Sequence, residues 1–249
     1  MKIRKILISQ PEPQTEKSPY FDLATKYNIK IDFKPFIHVE GISVREFRQQ
    51  KINISDYTAL IFTSRTAVDH FFRISEEMRI TIPDTVKYFC VTESIAFYLQ
   101  KYIVFRKRKI FYGNNNFADL MESILKHKEE NYLIPLTDPH NSDIPQILNK
   151  NNIKHIIGYF YRIISSNMTD INLHDYDIIV FFSPLGIKSL FDNFPTFNQN
   201  GLFIGTFGPY TAKVALDAGL QLNVQAPTPE TPSITAALEC FIKKCSKEK

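Results

Sequence analysis

One pattern occurs twice in this chain and restricts what it can fold into. From Tyr176 onward an apolar run, Asp177-Ile178-Ile179-Val180-Phe181-Phe182, meets Ser183-Pro184-Leu185-Gly186 and passes into Ile187, Leu190 and Phe191 at helical spacing. Five consecutive apolar residues, mostly β-branched or aromatic, suit a strand buried on both faces, as in a parallel sheet covered by helices. Ser183 can cap the following helix, and Pro184 fits its first position because its φ is already set. The same unit stands 119 positions earlier, with Tyr57, Ser64, Val68, Phe71 and Phe72 in the places of Tyr176, Ser183, Ile187, Leu190 and Phe191. There the strand is Ala59 to Thr63 and the turn is Ser64-Arg65-Thr66. Both copies continue with a matched second unit, Val91 to Ala96 against Phe207 to Ala212. This is the signature of an internal duplication of one α/β unit.

A duplicated unit in 249 residues implies two bodies, each with enough apolar sequence for its own core. The rest of the chain alternates strand and helix in the manner of βαβ units. Strands are expected at Ile3–Ile8, Ile29–Phe36, Val86–Val91, Lys107–Tyr112, Tyr132–Leu136 (interrupted near its end by Pro135), Leu202–Gly205 and Leu222–Val224. Helices are expected at Ser18–Tyr27, Ser94–Tyr102, Phe117–His127, Asn141 to Lys150 (started by Asn141-Ser142-Asp143), Pro209–Ala218 (closed by Gly219) and Thr231–Cys245 (capped by Thr231 or Ser233). The stretch Ile37-His38-Val39-Glu40-Gly41 is extended, and Lys154 to Ile164 is long enough to leave one sheet for another body. The expected fold class is α/β, with two doubly wound parallel-sheet domains joined by a two-stranded linker and one domain inserted in the other. The first domain takes residues 1–36 and 165–249, the inserted domain takes 40–160, and 37–39 with 161–164 form the linker strands.

Several function classes are disfavoured. The net charge of +4 is too diffuse to point to nucleic acid, and the one compact basic run, Arg106-Lys107-Arg108-Lys109, reads as a solvated edge, as does the tail from Lys243 to Lys249. Cys90, Cys240 and Cys245 form an odd set without metal-ligand spacing, which fits reduced thiols in a cytoplasmic protein. The six histidines are scattered and form no ligand set. No apolar stretch approaches the ~18 residues of a membrane span, and the N-terminal apolar run is too short for a secretory signal. No Gly-x-Gly-x-x-Gly or Gly-Lys-Ser/Thr loop is present, and Gly205-Thr206-Phe207-Gly208 alone is a weak phosphate-binding signal.

Taken together, Phe62-Thr63-Ser64 with Ala67-Val68, Tyr161 near the end of the long strand, Phe182-Ser183-Pro184, Gly208-Pro209-Tyr210-Thr211-Ala212, Ala218-Gly219-Leu220 and Ala226-Pro227-Thr228-Pro229 resemble the uroporphyrinogen-III synthase family. The order and spacing match across nearly the whole chain. The resemblance implies two domains linked by a two-stranded ladder across a cleft, with the linear tetrapyrrole hydroxymethylbilane as substrate. It implies closure to uroporphyrinogen III with inversion of the last ring and no cofactor; the sequence itself leads to the expectation of no metal, no nucleic-acid or membrane partner, and a cytoplasmic monomer. Tyr161 matches the family's tyrosine and is the expected proton donor.

The residues are compatible with that chemistry. Loss of a terminal hydroxyl needs a proton donor at the leaving oxygen, and a polycarboxylate substrate needs backbone amides at helix starts together with a few cations. Ser64, Ser183, Pro209, Tyr210 and Thr211 lie at such starts, Arg65 suits a bidentate grip on a carboxylate, and Lys188 is a further cation. Each has a plainer role as well: Ser64 and Ser183 as helix caps, Tyr161 as a buried ring, Lys188 and Lys213 as solvated charges. Two turns of the inserted half depart from the family. Val91-Thr92-Glu93-Ser94-Ile95 carries an acid before its helix, and Thr137 to Asp143 carries two. Two alternatives therefore stand beside the enzyme: a non-catalytic tetrapyrrole-binding or regulatory relative on the same fold, and a nucleotide- or phosphate-binding doubly wound protein.

Overall fold

The apolar runs become strands and the 3.6-period segments become helices. A computed structural model describes residues 2–114, 116–140 and 143–247 of the chain. In chain order the strands are β1 (Lys5–Ile8), β2 (Lys30–Phe33), β3 (Ile37–Gly41), β4 (Ala59–Phe62), β5 (Lys87–Cys90), β6 (Ile110–Tyr112), β7 (Tyr132–Thr137), β8 (His155–Ser165), β9 (Ile178–Phe181), β10 (Phe203–Phe207) and β11 (Leu222–Ala226). The helices are α1 (Pro19–Tyr27), α2 (Val44–Gln49), α3 (Arg65–Glu77), α4 (Glu93–Tyr98), α5 (Phe117–Leu125), α6 (Ile144–Lys150), α7 (Pro184–Asn193), α8 (Pro209–Asp217) and α9 (Ile234–Lys247). They fall into two compact units, Met1–His38 with Ile164–Lys249, and Val39–Ile163.

The first unit is built on a five-stranded sheet of order β11-β10-β9-β1-β2. Its ladders are parallel, with Ile6 against Ile178 and Ile204 against Ile179. Apart from Lys5 at the start of β1, strands β1 and β9 are apolar because both faces are covered. Ile6, Leu7, Ile8 and all four residues of β9 are fully buried. One face packs with Leu23 of α1 and Leu238 and Ile242 of α9, the other with Ile187 and Leu190 of α7 and Ala215 of α8. Each of the large side chains among these contributes about 1.5–3 kcal/mol through removal from water.

The second unit carries a six-stranded sheet of order β3-β8-β7-β4-β5-β6. Phe62, Phe71 and Phe160 pack in one core layer, and Phe89, Leu120, Tyr132 and Leu148 in the other. The ladders β7–β8, β7–β4, β4–β5 and β5–β6 are parallel.

Some boundaries differ from those read in the sequence. Pro135 does not interrupt β7, which runs on to Thr137 against β8 with Pro135 facing Gly158. Its ladder with β4 stops earlier, at Leu60–Leu133, which fits the missing N–H of Pro135. The helix expected over Ser94–Tyr102 is α4 up to Tyr98 and then a 3-10 turn, Leu99–Lys101. The strand expected from Lys107 starts only at Ile110, after the charged residues of the basic run. Ser233, not Thr231, caps α9: Ala236 N donates to Ser233 Oγ at 3.2 Å, while the Thr231 hydroxyl bonds Thr228 at 2.7 Å. The helix start expected at Asn141-Ser142 lies outside the described residues, as do Glu248 and Lys249 at the end of the tail.

Candidate functional site

In a doubly wound sheet, ligands meet the chain at the carboxyl ends of the strands, where turns and helix starts present backbone amides. In the second unit, β4 is followed by Ser64, whose Oγ accepts from Ala67 N at 3.0 Å and caps α3. The same Oγ lies 3.4 Å from the Tyr161 hydroxyl. Tyr161, near the end of β8, is 6 % exposed. Burial pushes its phenol above the usual value, and the contact with Ser64 offsets only part of that. At neutral pH the phenol therefore keeps its proton. One face of its ring stacks on the His70 imidazole, with centroids 5.3 Å apart and planes 20° apart. His70 Nδ1 accepts from Arg73 Nε at 3.2 Å. Burial, with the Arg73 charge adding to it, holds the imidazole below its ordinary range, so it is neutral at pH 7.

Arg65, the first residue of α3, extends over the Tyr98 ring at 5.4 Å. Among the described residues it has no carboxylate partner. The acid nearest in sequence, Asp69, is engaged elsewhere: it accepts from Tyr98 at 2.9 Å, from Lys101 at 3.0 Å and from the Tyr102 hydroxyl. Burial works to raise that carboxyl, but hydrogen bonds from Tyr102, Lys101 and Tyr98 together outweigh it and hold Asp69 below the usual carboxylate range. Asp69 thus stays ionised and saturated by its own partners.

The acids singled out in the sequence lie at the start of α4 and after β7. Glu93 opens α4, where a carboxylate favours the helix dipole by about 0.3–1 kcal/mol, and its charge raises the nearby Tyr112 phenol. Asp138 follows β7, and its backbone N donates to Tyr161 O at 2.9 Å. Thr137 Oγ1, beside Tyr161 in the β7–β8 register, is buried without a hydrogen-bond partner.

In the first unit, Ser183 Oγ accepts from Gly186 N at 3.2 Å at the end of β9 and caps α7. Lys188, one turn further on, pairs with Asp192 at 2.7 Å; both are solvent-exposed, and an exchangeable pair of this kind is worth only tenths of a kcal/mol. Gly208 precedes α8 with φ at 92°, a left-handed conformation that favours glycine. Pro209, Tyr210 and Thr211 form the first turn of α8. The Tyr210 ring is 63 % exposed, whereas Thr211 is buried. Phe207 and Phe182, at the ends of β10 and β9, face each other at 6.0 Å.

The expected site residues thus fall into two sets, Ser64, Arg65 and Tyr161 in the second unit and Ser183, Lys188, Pro209, Tyr210 and Thr211 in the first. His70 and Arg73 were not singled out in the sequence. A histidine and an arginine three apart on the inward side of an amphipathic helix were the available signal. One group among the described residues has metal-like spacing, His127 with Glu129 and Glu130. The Lys87 ammonium already fills it, 2.5 Å from Glu130 and 3.1 Å from His127. Among the described residues, no helix is long and apolar enough to cross a membrane.

The family model described as Uroporphyrinogen-III synthase HemD matches residues 21–236. Among solved structures, uroporphyrinogen-III synthetase from Helicobacter pylori is similar at 18 % identity and TM-score 0.60, covering 97 % of this chain and 100 % of that one. A mutant uroporphyrinogen III synthase from the extremely thermophilic bacterium Thermus thermophilus is similar at 13 % identity and TM-score 0.52, covering 99 % and 100 %. At these identities the two structures speak for the fold. No curated protein sequence matches the chain.

Proposed function

This chain belongs to the uroporphyrinogen-III synthase family, and from that premise we propose which of its residues close hydroxymethylbilane to uroporphyrinogen III with inversion of the last ring. The reaction begins with loss of the terminal hydroxyl. The C–O bond breaks, a proton from the enzyme leaves with the oxygen as water, and an azafulvene-like cation remains. The substituted carbon of the last ring then attacks that cation to give a spiro intermediate; its bond to the preceding bridge breaks, the free α-carbon of the same ring bonds the bridge cation so released, and loss of the proton on that carbon restores the pyrrole with the ring inverted. Little covalent chemistry falls to the protein, which must donate one proton and hold the chain so that the substituted carbon is the one that reacts.

Tyr161 is the proton donor of this reading. A buried phenol whose hydroxyl lies 3.4 Å from the Ser64 cap is the observation that carries the assignment. It is a weak acid, so its contribution is roughly tenfold to a hundredfold in rate. Arg65 binds a substrate carboxylate, because its guanidinium has no acid of its own among the described residues. Ser64, Ser183, Pro209, Tyr210 and Thr211 present helix-start amides to acetate and propionate groups, and Lys188 exchanges Asp192 for a substrate carboxylate. Glu93, at the start of α4 where its charge suits the helix dipole, lies outside the reaction.

Ligand selectivity tests the reading apart from turnover. Thermal melting with uroporphyrinogen III, ATP or NAD present is expected to show stabilisation by the tetrapyrrole alone. Stabilisation by a nucleotide instead would favour a phosphate-binding protein on the same fold.

A further inference from the structure

We infer that His70 is a positioning residue for Tyr161, seated by Arg73 in space that Gly41 leaves open. The inference rests on Tyr161 as the proton donor. A phenol ring buried near the end of a strand can still rotate about its side-chain bonds, and a proton donor displaced by a fraction of an ångström loses rate. Two contacts from one helix restrain Tyr161. Ser64, the cap of α3, meets its hydroxyl at 3.4 Å. His70, in the second turn of the same helix, covers the ring face at 5.3 Å with planes 20° apart. Helix α3 thus fixes both the tip and the plane of the phenol.

His70 is itself held. Arg73 Nε donates to His70 Nδ1, which in the neutral imidazole places the ring proton on Nε2. The Arg73 guanidinium is anchored to backbone beside Tyr161: Nη2 donates to Ile42 O at 2.7 Å and lies 3.4 Å from Phe160 O, and Nη1 bonds Glu77 at 2.8 Å. Phe160 directly precedes Tyr161, so the group that orients the imidazole is tied to the backbone that carries the phenol. This arrangement needs an absent side chain. A Cβ on Gly41 would stand 2.8 Å from Arg73 Nη2 and 3.0 Å from His70 Cε1, so both side chains would have to shift. Gly41 has no left-handed φ, so its requirement for glycine is the close approach of these two side chains.

The plainer reading makes His70 a packing residue of α3. The two differ in what Tyr161 experiences. The experiment labels tyrosine with 13C at Cζ, assigns the Tyr161 signal by its loss in Tyr161→Phe, and follows it against pH in wild type, His70→Ala, His70→Phe and Gly41→Ala, with kcat and KM measured in parallel. In His70→Ala the phenol midpoint is expected to fall toward ~10 as water reaches the uncovered ring face. In the same variant kcat should drop by roughly threefold to tenfold with KM little changed. His70→Phe, which keeps a ring on Tyr161, should restore both, and Gly41→Ala, which leaves His70 in place but displaced, should reproduce the loss in part. An unchanged Tyr161 midpoint in His70→Ala and Gly41→Ala would overturn the inference. Wild-type kcat in Tyr161→Phe would remove the donor assignment instead, a result distinguishable because the 13C titration does not depend on turnover.

Discussion

Tyr161 is the proposed proton donor, and its environment sets what its removal should do. Tyr161→Phe deletes one hydroxyl from a buried position, where that hydroxyl meets Ser64 at a long 3.4 Å. Folding should therefore be nearly unaffected, while kcat falls by roughly tenfold to a hundredfold at unchanged KM. Steady-state kinetics beside a urea melt checks this, and wild-type kcat would remove the phenol from the mechanism. The sequence pointed to Tyr161 only through resemblance, since a tyrosine late in a long strand is ordinarily a packing residue. Ser64 and Ser183 were legible from their own surroundings, because a serine between an apolar run and a helical pattern has one obvious place to bond. His70 was not, because what distinguishes it is a ring 91 positions away in the chain, at Tyr161. Thr137 Oγ1, buried without a partner, had no sequence signature at all.

At the scale of elements, the duplication runs deeper than its apolar positions. Asn53 and Asn172, 119 positions apart, each cap a 3-10 turn ahead of the repeated strand. Asn53 donates to Asp56 at 2.8 Å, and Asn172 to Asp175 at 3.0 Å. Thr58 and Asp177, again equivalent, accept the backbone N–H groups that begin the neighbouring strand, Asn131 N in one case and Arg4 N and Lys5 N in the other. The Asn-x-x-Asp-Tyr pattern at both places was readable, but it lies in loops, where apolar periodicity gives no warning. The helix starts were easier, since α3 and α7 begin where their serines stand, whereas α4 ended early and Pro135 left β7 unbroken. The caps should carry similar weight. Ser183→Ala removes a bond from Gly186 N at 3.2 Å and should cost about 1 kcal/mol in a urea melt, and Asn172→Ala should cost about the same. A loss below a few tenths of a kcal/mol in both would mean that tertiary packing alone fixes these turns.

At the scale of the molecule, each parallel sheet is buried on both faces, and that burial also fixes the response to alkali. Burial pushes the Tyr20 and Tyr88 phenols up to about 12. In the unfolded chain they ionise near ~10. Between those values the unfolded state has released protons that the folded state keeps, so stability is fully present below pH ~10 and declines as pH rises toward about 12. Melts at pH 8, 10 and 11 should show a midpoint nearly level over the first interval and falling over the second; a level midpoint throughout would show that neither phenol stays neutral in the fold. The alternation of strand and helix made the α/β class legible, and membership of the uroporphyrinogen-III synthase family gives that fold its reaction. The direct measurement is the isomer composition formed when metal-free, folded protein meets fresh hydroxymethylbilane. Uroporphyrinogen III in clear excess over isomer I is the result expected of an enzyme that holds the last ring for inversion. A composition equal to that of the protein-free control, isomer I throughout, would contradict it.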